Sequence, residues 1–142
     1  MPEDFNARVI REFRENDGKV GPPFEGAPMI LLHHAGAKSG AERVTPLIYF
    51  PEPDHYVIVA SAAGAPSHPA WYHNLKTTPD VTVELATDSG VDTFTAHAEE
   101  ITGDERDAQW DKIVGLNPGF GDYARKTEGI RTIPLIALTR AA

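Results

Sequence analysis

The sequence contains no cysteine, which excludes disulfide bonds, thiolate nucleophiles and cysteine-ligated metal sites. It also lacks any apolar run near the roughly 18 to 20 residues needed to cross a bilayer. Its first residues, with Glu3 and Asp4 ahead of Phe5, do not have the layout of a signal peptide. We therefore expect a protein of the reducing cytoplasm.

Positive charge is scarce: 13 lysines and arginines face 21 acidic residues, and the formal net charge is −8. Nucleic-acid binding requires a basic face, so this balance argues against it. The length of 142 residues predicts one domain over residues 1–142. A domain of this size buries roughly 70% of the surface that its unfolded chain exposes, so it needs neither a metal nor a disulfide for stability.

Short apolar segments with period-two alternation predict six strands and few helices between them. The predicted strands are 29–35, 42–51, 55–62, 81–86, 91–101 and 132–139. This order favours an α+β fold in which an antiparallel sheet closes into a small barrel.

Residues 4–15 carry apolar side chains such as Val9 and Phe13 at helical spacing, and Gly18 ends this predicted helix. We expect the helix to close one end of a core. An alternative is a helix that contacts a membrane surface or a partner, because its polar face carries three arginines.

Three further helical segments are predicted. Residues 69–76 form a helix with Pro69 in its first turn, where a missing N–H costs nothing. Thr102 to Glu105 fits a capping box that begins the next helix. Residues 120–127 form a short helical turn or lid before the last strand.

A glycine-bounded turn joins the first two predicted strands. Between Gly36 and Gly40 stand Ala37, Lys38 and Ser39, and backbone amides in such a turn can converge on an anion while the lysine adds positive charge. The alternative is a hairpin turn with a solvated lysine. It is not a nucleotide P-loop, since neither the spacing nor a following helix fits.

Two features indicate a second wall for a ligand. Pro46 lies inside a strand, which a sheet tolerates at an edge or where a ligand covers the gap. The small residues at 60–64 leave room for close approach to the backbone. Ser67 or His68 is predicted to cap the helix that follows, whose positive end faces the same region.

Trp71 and Asn74 stand three residues apart, on one face of the predicted helix 69–76. The indole can pack against a ring system while the amide donates a hydrogen bond. The alternative is a core tryptophan beside a helix-terminal asparagine.

Neither wall contains an acid, a base or a nucleophile arranged for catalysis by protein side chains. The histidines offer no metal pattern, because His33 and His34 point to opposite faces of a strand and His68 and His73 diverge on a helix. Any chemistry is therefore expected from a bound organic cofactor.

With these residues in hand, the chain resembles the deazaflavin-dependent nitroreductase family, split-barrel oxidoreductases that use coenzyme F420, an 8-hydroxy-5-deazaflavin. The resemblance covers nearly everything from Phe5 to Arg140. The order and spacing of several short motifs carry it: Gly26-Ala27-Pro28, Lys38-Ser39-Gly40, Arg43-Val44-Thr45-Pro46-Leu47, Gly64-Ala65-Pro66, His68-Pro69-Ala70-Trp71-Tyr72-His73-Asn74-Leu75 and Arg131-Thr132-Ile133-Pro134.

The resemblance implies a hydride transfer from the reduced deazaflavin to a small apolar acceptor such as a quinone, an enone or a nitroaromatic. It implies that Lys38, Ser39 and Arg43 hold the phosphate and acidic tail. The implied lining of the ring comprises Val44, Thr45, Pro46, Leu47, Ile48, Val59, Ala60, Ser61, Ala62, Ala70, Trp71 and Asn74. Substrate contacts are expected from Ser61, Tyr49, Phe120 and Tyr123.

Two departures from the family pattern remove positive charge. Ala37 stands where the turn commonly carries an arginine, and Ala62 stands where the loop commonly carries a lysine. Because these two positive groups are missing, weaker cofactor binding than in a typical relative is expected. A loss of about 1.4 kcal/mol in binding free energy corresponds to a tenfold loss of affinity. Two other interpretations stay open: a split barrel that binds flavin mononucleotide, and a carrier or sensor without turnover.

Overall fold

A computed structural model describes residues 5–21, 28–36, 40–87 and 89–141, and within them six strands close into a barrel. The strands follow the order β1-β2-β3-β6-β5-β4, and every neighbouring pair is antiparallel. This confirms the predicted α+β barrel. The elements are α1 (Phe5–Glu15), β1 (Met29–Ala35), β2 (Glu42–Pro51), β3 (Tyr56–Val59), a 3₁₀ turn (Ala62–Gly64), α2 (Ala70–Thr77), β4 (Asp80–Thr87), β5 (Gly90–Ile101), α3 (Gly103–Leu116), α4 (Gly119–Thr127) and β6 (Leu135–Arg140).

Two strands are shorter than predicted. The predicted strand 55–62 ends at Val59, because Ala60 still donates its backbone N–H to the carbonyl of Pro134 at 3.0 Å but the proline has no N–H to donate in return. The predicted strand 132–139 begins only at Leu135. Pro134, directly before it, has no N–H to donate to a ladder.

The barrel interior forms the largest apolar cluster, and the alternation read from the sequence explains it. On β4, for example, Val81, Val83 and Leu85 are buried while Thr82 and Glu84 are only partly so. The inward residues of the other strands join them, and the result is a filled core rather than a channel.

Helix α1 packs against the outer face of the sheet. The sequence-based expectation that it closes one end of the core is therefore wrong. Val9 and Phe13 are fully buried against Met29 and Leu31, the outward residues of β1. The helix ends as predicted at Gly18, where φ is +91° and an added Cβ would lie 2.5 Å from the Cβ of Ala86. Among the described residues, no helix has both the length and the apolar character to span a membrane.

Helix α2 closes one end of the barrel, the end at which β2 begins and β1, β3 and β5 finish. Its residues Trp71, Tyr72 and Leu75 are buried in the barrel cluster. The hydroxyl of Tyr72 donates to Oε1 of Glu100 on β5 at 2.6 Å, which fixes the helix across the opening. This end of the barrel carries the residues discussed below.

The predicted caps are only partly correct. Pro69 is the N-cap of α2 rather than a first-turn residue, and neither Ser67 nor His68 caps the helix. Thr102 occupies the N-cap of α3 as predicted, but its side chain makes no capping hydrogen bond. Helix α4 confirms a helical segment at 120–127.

Candidate functional site

The first half of β2 pairs with β1 alone, which splits the barrel beside this strand. Only Tyr49, Phe50 and Pro51 pair with β3, whereas residues 42–48 pair with β1. The backbone N–H of Tyr49 donates towards β1, to the carbonyl of Pro28 at 3.1 Å. Because successive residues of a strand face opposite neighbours, the backbone of Pro46 faces away from β1. No strand in the described part of the chain pairs with that side, which we call the open edge of β2.

The open edge explains Pro46: its missing N–H would face no partner strand, so the proline costs no ladder hydrogen bond. The edge-strand interpretation of Pro46 is therefore confirmed. On the same edge lie the backbone groups of Val44 and the N–H of Ile48, whose carbonyl faces β3 beside the Tyr49–Ile58 pair.

The side chains of residues 43–48 divide between the two faces of β2. Leu47 packs in the barrel cluster with Tyr49, whereas Val44 and Ile48 pack towards α1. Arg43 and Thr45 share the inward face by alternation. One ligand can therefore contact all of this predicted wall only if it lies along the open edge and meets the backbone as well as side chains of both faces.

Arg43 is the one cation within β2 itself. It is exposed, and its guanidinium makes no ion pair or hydrogen bond with the part of the chain that the structure describes. Lys38 and Ser39, the other predicted anion ligands, lie outside the described residues, as does Ala37. The amide of Gly36 donates to Ala41 and that of Gly40 to Gly36, so these two amides serve the hairpin, while the other amides of the predicted cradle lie outside the described residues.

Thr45 and Asn74 are joined by His34, which is only 5% exposed. The side-chain Nδ2 of Asn74 lies 2.9 Å from Nδ1 of His34, and Nε2 of His34 lies 2.8 Å from Oγ1 of Thr45. Burial lowers the pKa of His34, and the positive charge of nearby Arg43 lowers it further, so the ring is neutral at pH 7.

The opposite orientations predicted for the adjacent histidines are confirmed. His33 points outward, where Nδ1 lies 2.8 Å from Oε1 of Glu42 and Nε2 lies 2.6 Å from Oε2 of Glu84. Glu84 also pairs with Arg14 of α1 at 2.7 Å, which ties that helix to the sheet. Among the described residues, no group of three or more potential ligands is arranged to hold a metal ion.

The segment after β3 is held in place by Arg131, a residue that precedes β6. Its guanidinium donates to the carbonyls of Ala60 at 3.1 Å, Ser61 at 2.8 Å and Ala65 at 3.0 Å. The same group donates to Nδ1 of His68 at 2.9 Å. The sequence motif Arg131-Thr132-Ile133-Pro134 marked this arginine, but only the fold shows that it organises residues 60–68.

His68 is neutral in this arrangement. Desolvation and the neighbouring charge of Arg131 lower the pKa of His68, and burial lowers the pKa of Arg131 itself. His68 therefore serves as a hydrogen-bond acceptor for the arginine and not as a helix cap or a metal ligand.

The backbone of the held segment takes a left-handed turn at Ala62, where φ is +47°. A non-glycine residue adopts this conformation only when its surroundings impose it. Gly64 also has a positive φ, of +81°, and a Cβ there would lie 3.0 Å from Cδ of Lys126 on α4. The turn is thus tightly packed, and Ser61 before it is buried.

The predicted substrate contacts do not form one group. Phe120 is buried against Phe50 with 5.8 Å between ring centroids, and Tyr123 packs edge-on to Phe120 at the same distance. Tyr49 points into the barrel, where its hydroxyl donates to the carbonyl of Ala86 at 3.0 Å. Tyr49 is buried in the barrel cluster, which assigns it to the core.

The remaining predicted lining residues also differ in burial. Val59 belongs to the outer cluster below α3 and α4, whereas Ala60 belongs to the barrel cluster. Ala70 is exposed at the start of α2. Trp71 is 6% exposed and packs inside the barrel, which favours the core interpretation of this tryptophan.

Comparisons with known proteins place these features in a family context. The sequence profile of the family described as F420H(2)-dependent quinone reductase matches residues 7–140. An F420H(2)-dependent quinone reductase of Mycobacterium tuberculosis is 38% identical over 132 residues, which cover 90% of this chain and 85% of that protein. A putative F420H(2)-dependent quinone reductase of the same organism is 35% identical over 111 residues, covering 78% of this chain and 88% of that protein.

Two solved structures are similar to most of this chain. One, of an F420-H2 dependent reductase, matches with a TM-score of 0.66 and 38% identity and covers 78% of this chain and 93% of that chain. Another, described as a domain-swapped dimer, has a TM-score of 0.64 and 37% identity and covers 78% and 79% of the two chains.

Proposed function

Because the chain belongs to the F420H(2)-dependent quinone reductase family, it is an oxidoreductase that uses coenzyme F420, and we propose that this cofactor lies along the open edge of β2. The unpaired half of this strand is the observation that carries the proposal. Within one short segment, this strand presents backbone groups, polar side chains and a cation to which a flat ligand can bind. We further propose that residues 1–142 act as one cofactor-binding domain.

The donor set of this edge fits an anionic deazaflavin. The guanidinium of Arg43 has no partner among the described residues and suits a phosphate or carboxylate. The backbone of Val44 and the N–H of Ile48 face the same edge and suit the polar rim of a heteroaromatic ring. The carbonyl groups of Ala60 and Ser61 are held by Arg131 on the other side of the split.

Among the described residues at this edge, none is arranged as an acid, base or nucleophile for the reaction, and the carboxylate of Glu42 is taken up by His33, so the protein residues bind and orient. When bound in its reduced form, the cofactor supplies the hydride that the acceptor takes up. Arg43 and Thr45 fix one position of the ligand, and the segment 60–64 limits its other side. Holding the two reactants at a fixed distance is the main catalytic contribution open to such a site.

We propose a quinone as the acceptor, in keeping with the name of the family. The partly buried ring of Tyr123 on α4 supports this assignment, since α4 packs against the 3₁₀ turn next to Ser61. Enones and nitroaromatics share the flat, apolar, reducible character of a quinone and form the comparison set. Initial rates with one compound of each class, at equal concentration, rank the three.

Family membership favours F420 over flavin mononucleotide and favours turnover over a silent carrier. We propose a cytoplasmic protein that is a monomer or a homodimer; the related domain-swapped dimer supports the second state. Membrane contact through α1 stays a prediction. Against it stands the pairing of Arg11 with Glu15 and of Arg14 with Glu84, which lowers the charge that the helix can offer to lipid.

Replacing Arg43 with alanine is expected to weaken F420 binding roughly tenfold, because one charge-assisted contact to the acidic part of the cofactor is lost. The loss should shrink at high salt, since Arg43 is exposed. Fluorescence titration with F420 measures the dissociation constant. Flavin mononucleotide titrated in parallel shows whether the site is selective.

Arg140→Ala is the matched control, because it also removes one arginine. Arg140 lies at the end of β6, at the opposite end of the barrel, where it pairs with Asp92 at 3.0 Å. It should leave F420 affinity within twofold of the unmodified protein. Equal losses in the two variants would count against a cofactor at the open edge of β2.

A further inference from the structure

We propose that His34 is a positioning residue: it fixes the hydroxyl of Thr45 so that this hydroxyl donates its proton outward, to the bound cofactor. The inference rests on the proposed function, because it assigns Thr45 to the cofactor edge. It adds His34, which is not among the residues that the sequence predicted for the site.

The hydrogen-bond chain determines the ring's tautomer. The side-chain nitrogen of Asn74 can only donate, so Nδ1 of His34, 2.9 Å away, must accept. The ring proton of neutral His34 is then on Nε2, which donates to Oγ1 of Thr45 at 2.8 Å. Because Oγ1 of Thr45 accepts this hydrogen bond, the proton of the same hydroxyl is left to donate to a third group.

Burial makes this arrangement rigid. His34 is 5% exposed and Asn74 is 6% exposed, whereas Thr45 is half-buried and so remains accessible. The chain thus runs from a closed interior to an accessible hydroxyl on the inward face of β2. A buried polar network of this kind, when every member has its partner, specifies one geometry.

The charges around His34 oppose its protonation. Arg43 stands opposite it in the β1–β2 ladder, and His33 is its neighbour on β1. A protonated ring would have to donate from Nδ1 as well, against the donating amide of Asn74. The neutral Nε2–H form is therefore the one that the surroundings select.

Two substitutions separate a positioning role from simple packing. His34→Gln keeps a donor near the position of Nε2 and can still reach Thr45. His34→Asn reaches only the position of Nδ1, so it keeps the contact with Asn74 and loses Thr45. Thr45→Val removes the hydroxyl that His34 is inferred to orient while it retains the branched shape.

The test is fluorescence titration of F420 with each variant, together with the thermal midpoint of each. Thr45→Val is expected to weaken binding about three- to tenfold, the effect of one lost hydrogen bond. His34→Asn should weaken it to a similar extent and His34→Gln by less than twofold. In the double variant His34→Asn/Thr45→Val, binding should be no weaker than in Thr45→Val alone, because His34 acts through Thr45.

The results that would overturn the inference are distinct. If His34→Asn weakens binding as strongly in the Thr45→Val background as in the unmodified protein, His34 does not act through Thr45. If Thr45→Val leaves the affinity unchanged, the hydroxyl makes no contact and the inference fails. The proposed site is judged separately by Arg43→Ala, whose effect does not depend on His34.

A measurement without cofactor keeps the inference testable even if His34→Asn fails to fold. Nitrogen NMR of the imidazole in the unmodified protein distinguishes the Nε2–H from the Nδ1–H tautomer. The Nε2–H form is expected at pH 7, and its signal should change in Thr45→Val. An Nδ1–H ring would overturn the proposal, because Thr45 would then donate to His34 instead of to a ligand.

Discussion

Replacing Arg131 with methionine is expected to lower the free energy of unfolding by about 3 kcal/mol and to weaken F420 binding by more than tenfold. The guanidinium donates to three backbone carbonyls and to His68, and methionine can replace none of these bonds. Carbonyl groups left without a donor in a half-buried segment destabilise the folded protein, and the segment loses its fixed shape. Urea denaturation measures the first effect and F420 titration the second.

Arg125→Met is the control for this experiment. Arg125 lies on α4, is exposed and, within the described ranges, pairs only with Asp122, so its loss should change the free energy of unfolding by less than about 0.5 kcal/mol. If Arg131→Met and Arg125→Met were equally stable, the segment 60–68 would not depend on the guanidinium. If Arg131→Met were unstable but bound F420 normally, that segment would have no part in the site.

Replacing Trp71 with alanine is expected to cost about 3 to 5 kcal/mol of stability, the usual range for a large aromatic side chain removed from a core. Trp71 fills the barrel end below α2 and is 6% exposed. Trp110 on α3 is only partly buried and stacks on Arg106 at 4.9 Å, so Trp110→Ala should cost about 1 to 2 kcal/mol. Denaturation of both variants by urea measures the difference.

The milder variants Trp71→Phe and Trp110→Phe extend this comparison to the cofactor. If the edge of the indole of Trp71 reaches the ring of F420, Trp71→Phe should weaken binding more than Trp110→Phe does. Equal affinities for the two folded variants would remove the reason for placing Trp71 at the site. They would leave the expected difference in stability unchanged.

The strands could be predicted from the sequence because alternation is a local property. Val81, Val83 and Leu85 identify the inward face of β4 without any knowledge of its neighbours. Pro46 was likewise informative, since a proline inside a strand requires an edge. The place of α1 was predicted wrongly, because its apolar stripe shows that the helix packs on something but not on which surface.

The site was harder to predict because its organisation depends on contacts between distant residues. Arg131 stands 66 or more residues from Ala65, Ser61 and Ala60, whose carbonyls it holds. His34 connects β1 to Thr45 and to Asn74, which lies 40 residues further along the chain. Its inward position could have been derived from the alternation with Ile30 and Leu32, but its partners could not.

Nitrogen–proton NMR during a titration with F420 tests the central claim, that the cofactor lies along the open edge of β2, most directly. The amide signals of Val44 and Ile48 should move more than those of Arg43 and Leu47, whose N–H groups face β1, and the signals of residues 60–64 should move with them. If these signals stay in place while those of the surface cleft around Arg106, Trp110 and Ala124 move, the account of the site is contradicted.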